Sequence, residues 1–173
     1  MNVINLDTTH FQLRLAREEY EMKRRSFVLS LAALSLAQAL PALSKEPAIL
    51  VYKNPSCGCC GKWVEHLEAA GFSVTVKEVE STSVMRRRLG MPQEYGACHT
   101  AAVDGYVLEG HVPAEEVKRL LSTRPAAIGL SVPGMPVGSP GMEVGNRVDP
   151  YEVLLVDRNG QAAVFARYPK SNS

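Results

Sequence analysis

The spacing of apolar positions changes along the chain, and each spacing predicts a different element. Ala48-Ile49-Leu50-Val51-Tyr52 is a short, partly β-branched apolar run that reads as a buried strand, and Asn54-Pro55-Ser56 ends it. From Lys62 to Ala70 the apolar residues Trp63, Val64, Leu67 and Ala70 recur at helical spacing, with Gly71 placed to end the helix. Phe72 to Val79 alternates, which predicts a strand with Phe72, Val74 and Val76 on one face. Ser83 to Leu89 reads as a short basic helix stopped by Gly90 and Pro92. Ala97 to Val103 and Gly105 to Glu109 read as short strands around an Asp104-Gly105 turn, and Pro113-Ala114-Glu115-Glu116 opens a helix to about Ser122.

Residues 125–147 hold five glycines and four prolines with Met135 and Met142 between them, which predicts a long loop without regular structure. Tyr151 to Val156 and Gln161 to Tyr168 read as a hairpin around residues 157–160. The order strand, helix, strand, helix, hairpin, helix is that of an α/β, thioredoxin-like layer, extended by the Gly/Pro/Met loop and a C-terminal hairpin.

The N-terminal region follows another logic. Lys23-Arg24-Arg25 precedes an apolar run, Ser26 to Ala37, that is too short and interrupted to span a bilayer and reads as an export signal. Ala37-Gln38-Ala39 and Ala42-Leu43-Ser44 have the small-x-small form cut by signal peptidase, so cleavage is expected near residue 39 or 44. Arg24-Arg25-Ser26-Phe27-Val28 is similar to a twin-arginine motif, which points to export in the folded state. Residues 1–21 carry four acids against two arginines, unlike a basic leader, so Met22 is the expected translation start. The expected organisation is an export region over 1–44 and one thioredoxin-like domain over 45–173, working in the periplasm or otherwise outside the cytoplasm.

Composition narrows the function. From Lys45 onward fourteen basic residues face fourteen acidic ones, without a basic run, which excludes the electrostatic footprint of a nucleic-acid binder. Arg86-Arg87-Arg88 is read as a solvated helix face.

The chemistry lies in Cys57-Gly58-Cys59-Cys60, which places three of the four cysteines at a strand-to-helix turn. Cys57 and Cys60 form a C-x-x-C pair at a helix start, where backbone N–H groups and the helix dipole favour thiolates. Thiolates serve disulfide exchange and soft metals alike. A dithiol oxidoreductase needs only Cys57 and Cys60, with Cys57 as nucleophile, whereas Cys59 adds a third sulfur and Cys98 brings a fourth close to the same turn. Gly58 and Gly61 are expected to let the backbone fold tightly around an ion. Metal binding, thiol–disulfide exchange and structural disulfides therefore all remain open, and the soft candidates are Cu(I), zinc and an iron–sulfur centre.

Other donors are His111 before a helix, and the thioethers of Met135 and Met142, which suit Cu(I). His99 is expected to point away from Cys98 by strand alternation, and His66 to be solvated.

Val51-Tyr52-Lys53-x-Pro55-x-Cys57-Gly58-Cys59-Cys60-x-x-Trp63, Cys98-His99-Thr100-Ala101, Gly105-Tyr106-x-x-Glu109-Gly110-His111-Val112-Pro113 and Gly134-Met135-Pro136-x-Gly138-Ser139-Pro140-Gly141-Met142-Glu143 together resemble the DUF411 family. The resemblance runs through essentially the whole chain after the export region. It implies a thioredoxin-like fold, a role in periplasmic copper resistance, and Cys57, Cys59, Cys60 and Cys98 as thiolate ligands of a copper site that can hold several Cu(I) ions. Copper ions, and other periplasmic copper-handling proteins, are the partners it implies.

Overall fold

The computed structural model describes residues 46–170, so the expected export segment, its cleavage positions and residues 1–21 lie outside the described residues. The first apolar run forms β1, Ile49–Lys53, and a turn leads into α1, Gly58–Ala69. β2 (Val74–Glu78), α2 (Thr82–Arg88) and a 3-10 turn (Gln93–Tyr95) follow. β3 (His99–Val103) and β4 (Tyr106–Glu109) flank Asp104-Gly105, whose φ angles of 45° and 85° are those of a tight two-residue turn. α3 spans Ala114–Thr123, with Pro113 at its N-cap and Glu115 and Glu116 in its first turn. β5 (Ala127–Ser131), β6 (Tyr151–Asp157) and β7 (Ala162–Tyr168) complete the order.

The seven strands form one mixed sheet, ordered β2-β1-β3-β4-β5-β6-β7. β1 runs parallel to β2 and antiparallel to β3, β4 runs parallel to β5, and β5, β6 and β7 are antiparallel neighbours. Trp63, Val64 and Leu67 of α1 and Val117 and Leu120 of α3 share one apolar core with Ile49, Val51, Leu108 and Leu130 of the sheet. Met91, Val107 and Val156 form a second, smaller cluster. Among the described residues, no helix is long and apolar enough to cross a membrane.

The stretch expected to be irregular contains a central strand. β5 lies between β4 and β6 and is mostly buried, so it shows no alternation to read. Pro125 and Pro133 flank it, and Gly129 sits inside it. The glycine is a packing requirement: a Cβ there would lie 1.8 Å from the Val107 carbonyl oxygen. The pairing with β6 shifts register between Ala127 and Gly129, a bulge that lets Ile128 and Leu130 contribute to different clusters.

Three further expectations are corrected. α1 begins at Gly58, four residues before Lys62, so Gly58 and Gly61 are helical and a Cβ on either would meet no neighbour within 4 Å. They are not wrapped tightly around anything. Arg86 is not solvated: its guanidinium is buried and its Nη2 lies 2.8 Å from Glu109 Oε1. β2, at the edge of the sheet, leaves Val76 exposed while Phe72, just before it, is buried in the core.

His66, expected in solvent, is half-buried and accepts the Ala114 N–H at Nε2 (3.0 Å), capping the start of α3. Burial holds its pKa below the ordinary 6.5, against the pull of Glu143 and Glu115. The unfolded chain therefore binds this proton more readily than the folded one, and stability rises with pH through this window. Lowering the pH of the metal-free protein below about 6.5 should reduce its unfolding free energy, and His66→Gln should flatten that dependence. An unchanged slope in denaturant titrations between pH 7 and pH 5 would remove the capping role.

Gly129→Ala should destabilise the fold by at least about 3 kcal/mol, because the obstacle is backbone that cannot swing aside. Gly61→Ala, in an open helical position, should be neutral or stabilising by up to about 1 kcal/mol. Chemical denaturation of both variants checks the pair; a costly Gly61→Ala would contradict the open helical surroundings.

Candidate metal centre

The cysteine turn is built by local polar chemistry. Asn54 Oδ1 accepts the Ser56 N–H (3.0 Å) and the Ser56 hydroxyl (2.6 Å), and the Cys57 N–H donates to the Asn54 carbonyl (3.0 Å). Cys57 is the N-cap of α1 and makes no side-chain cap, and no acid stands in the first turn. The positive end of the helix dipole therefore lies at the sulfurs without competition.

Cys98 reaches them through the sheet. β1 pairs antiparallel with β3 with Lys53 opposite His99, so the end of β1 and the start of β3 meet at one margin. Cys98 Sγ lies 3.5 Å from Cys60 Sγ, and Cys57 Sγ lies 3.5 Å from Cys59 Sγ. The four sulfurs all fall within 4.8 Å of one another. Cys57 and Cys60 are joined as a disulfide, while Cys59 and Cys98 are free. The geometry is thus that of an oxidised C-x-x-C pair with two further thiols against it.

Two imidazoles close the other side. His111, buried in the loop between β4 and α3, has Nε2 3.1 Å from Cys98 Sγ and Nδ1 2.8 Å from the Pro140 carbonyl. A carbonyl only accepts, so Nδ1 carries the proton and Nε2 turns its lone pair toward the sulfur. His99, fully buried, has Nδ1 3.3 Å from the same sulfur, contrary to the expected opposite orientation. Strand alternation does not apply because Cys98 sits in a bend before β3 starts at His99. One donor atom each from Cys98, His99 and His111 also fall within 4.8 Å, making Cys98 common to both groups.

Trp63 braces the arrangement. Its Nε1–H donates to the Val112 carbonyl (2.8 Å), and its ring lies 4.2 Å from that of His99. The His99 and His111 rings meet edge to face at 5.0 Å. Burial governs the electrostatics: it pushes the Cys98 thiol up to about 12, reinforced by Cys59, and holds His99 down to about 3, with His111 adding to the effect. His111 is lowered by burial as well. The thiolate character expected of the helix start does not extend to Cys98, which is off the helix.

Of the thioether candidates, Met135 is 55% exposed and Met142 is half-buried. Met142 follows Gly141, which approaches the first turns of α1 so closely that a Cβ would lie 2.8 Å from the Cys59 carbonyl oxygen. The placing of His99 and the burial of Arg86 and Glu109 escaped sequence reasoning. The one available signal was that His99 follows Cys98 directly and Glu109 lies two residues before His111 in the chain.

Fold and site together define a mixed α/β protein with a partly buried cluster of sulfur and imidazole donors at one margin of its sheet. A family model described as "Protein of unknown function, DUF411" matches residues 95–142. Two solved structures, Form 2 and Form 1 of a copper resistance protein, copG, share 49% identity with the chain, with TM-scores of 0.69 and 0.68. Each covers 72% of this chain and is itself 99% covered. No curated protein matches. The chain belongs to the DUF411 family.

Without metal, thiol titration of the denatured, unreduced domain should count two thiols and of the reduced domain four. In the folded domain at pH 7.5, iodoacetamide should modify Cys98 far more slowly than in denaturant, because burial keeps that thiol protonated. Peptide mapping of the alkylated protein reads both; rapid labelling of Cys98 in the native state would contradict its burial.

Proposed function

We propose that the protein binds copper as its cargo, holding Cu(I) through Cys57, Cys59, Cys60 and Cys98 in a thioredoxin-like scaffold, and serves copper resistance or homeostasis outside the cytoplasm. The observation that carries this reading is the convergence of four cysteine sulfurs within 4.8 Å of one another. Such a set of soft donors matches Cu(I) better than hard cations. The relatives at 49% identity are copper resistance proteins by name, which supports the same metal.

The donors present fit the cargo. His111 Nε2 is a buried lone pair fixed in direction by the Pro140 contact, and His99 Nε2 is buried without a hydrogen-bond partner among the described residues. Both offer nitrogen beside the sulfurs, and Met135 and Met142 are further thioether candidates on the following loop. Cys98 is common to the sulfur and imidazole groups, which supports a load that can exceed one Cu(I) per chain. Use of all four sulfurs requires the Cys57–Cys60 disulfide to take up two electrons and two protons from a thiol reductant, giving two thiols. Those protons leave when a metal binds, which makes loading pH-dependent.

The Cys57–Cys60 disulfide is also what a thiol–disulfide oxidoreductase would carry, and this is the rival reading. It assigns nothing to Cys59, Cys98 or the two histidines. Export, by the twin-arginine route, places the protein where copper and oxidised thiols meet, and rests on the N-terminal sequence.

Metal analysis with absorption spectra on protein from copper-fed cells tests the proposal. At least one copper per chain is expected; less than one, or zinc or iron in its place, would overturn it. Cys59→Ser and Cys98→Ser should each lower copper stoichiometry or affinity strongly, while insulin reduction by a true Cys57/Cys60 oxidoreductase would survive both changes.

A further inference from the structure

We propose that Arg86 and Glu109 are positioning residues for Cys98, acting through the backbone of Ala97. Glu109 Oε1 accepts the Ala97 N–H at 2.7 Å, and Arg86 Nη2 donates to the Ala97 carbonyl at 2.7 Å. Both backbone polar groups of Ala97, the residue before the sulfur-bearing one, are therefore held by side chains that pair with each other at 2.8 Å. The far side is held too: Glu109 Oε2 accepts the Thr100 hydroxyl at 2.6 Å, two residues beyond Cys98. Arg86 Nη1 donates to Gln93 Oε1 at 3.2 Å, which fixes the guanidinium plane.

The surroundings are shaped for this clamp. Gly96 leaves space that a Cβ would take, 2.6 Å from Arg86 Nη1, and Gly110 leaves space beside the Ala97 side chain, where a Cβ would lie 2.5 Å away. Both charged side chains are almost completely buried, with 8% and 0% of their surface exposed. A buried ion pair is a poor source of stability, since desolvation consumes most of its attraction. Its geometric effect is plain: Cys98 lies in a bend between an isolated bridge, Ala97 with Gly134, and the start of β3, and the clamp adds side-chain restraint on either side of it. Arginine is required because three acceptors on different elements, Gln93, Ala97 and Glu109, are met by one planar fork; a lysine ammonium cannot span them.

The proposal rests on the copper-binding reading only for its second readout. The first is independent of metal: iodoacetamide modification of Cys98 in the folded, metal-free protein, followed by peptide mapping. Arg86→Lys, which keeps the charge opposite Glu109, and Glu109→Gln, which keeps the shape, should both speed Cys98 labelling while Cys59 labelling stays as in wild type. The second readout is Cu(I) affinity of the reduced protein against a competing chelator, expected to fall about 10- to 100-fold in both variants. Val117→Ala, a core truncation in α3, serves as the stability control: it should lower the unfolding midpoint and leave both readouts unchanged.

Unchanged Cys98 labelling in folded Arg86→Lys overturns the clamp, whatever copper does. Equal changes in Val117→Ala also overturn it, since the effect would then follow lost stability. Faster labelling in Arg86→Lys with a wild type that takes up no Cu(I) upholds the clamp and sinks the copper reading alone.

Discussion

The structure depends on one pairing, the antiparallel register of β1 with β3 that sets Lys53 opposite His99. A helix turn can present three cysteines in four residues, but it cannot enclose anything by itself. Closure needs a donor from another element, and the β1–β3 register delivers it by aligning the exit of one strand with the beginning of the other. From that alignment follow the 3.5 Å approach of Cys98 to Cys60 and the placing of His99 beside Trp63. A register slip would carry Cys98 out of reach and turn the buried histidine toward the opposite face.

Much of this was legible in the sequence, because the elements near the site obey simple local rules. Asn54-Pro55-Ser56 had to break β1, Asp104-Gly105 had to turn, and Pro113 followed by two acids had to start a helix. β5 was hidden because a strand covered on both faces has no alternation, and its internal glycine and flanking prolines mimic a loop. Gly129 was read as a breaker when it is a contact with Val107. The site was partly legible for a comparable reason. Cysteine spacing announces itself, whereas the orientation of His99 depends on Cys98 lying one step outside the strand, and the burial of Arg86 depends on a carboxylate 23 positions away in the chain.

The candidate centre combines opposing electrostatic influences. A helix N-terminus favours negative sulfur, and a buried environment favours neutral sulfur and neutral imidazole. Burial dominates at Cys98 and both histidines, so these three donors are held uncharged in the metal-free site and are connected by hydrogen bonds. Such a set is rigid before any ligand arrives: Trp63 holds the His99 ring in place, Pro140 orients His111, and neither contact involves a titrating partner. Binding energy is then not spent on ordering the imidazoles.

The spacing of these donors along the chain also sets an order of events during synthesis. Cys57, Cys59 and Cys60 leave the ribosome first, and the sulfur that faces them comes 38 residues after Cys60. His111 acquires its orienting carbonyl only when Pro140 is made, 29 residues after His111 itself. A nascent chain therefore displays three thiols with no facing sulfur to enclose them for 38 residues of its elongation. The pairing of Cys57 with Cys60 is the one closure available to it from local sequence alone.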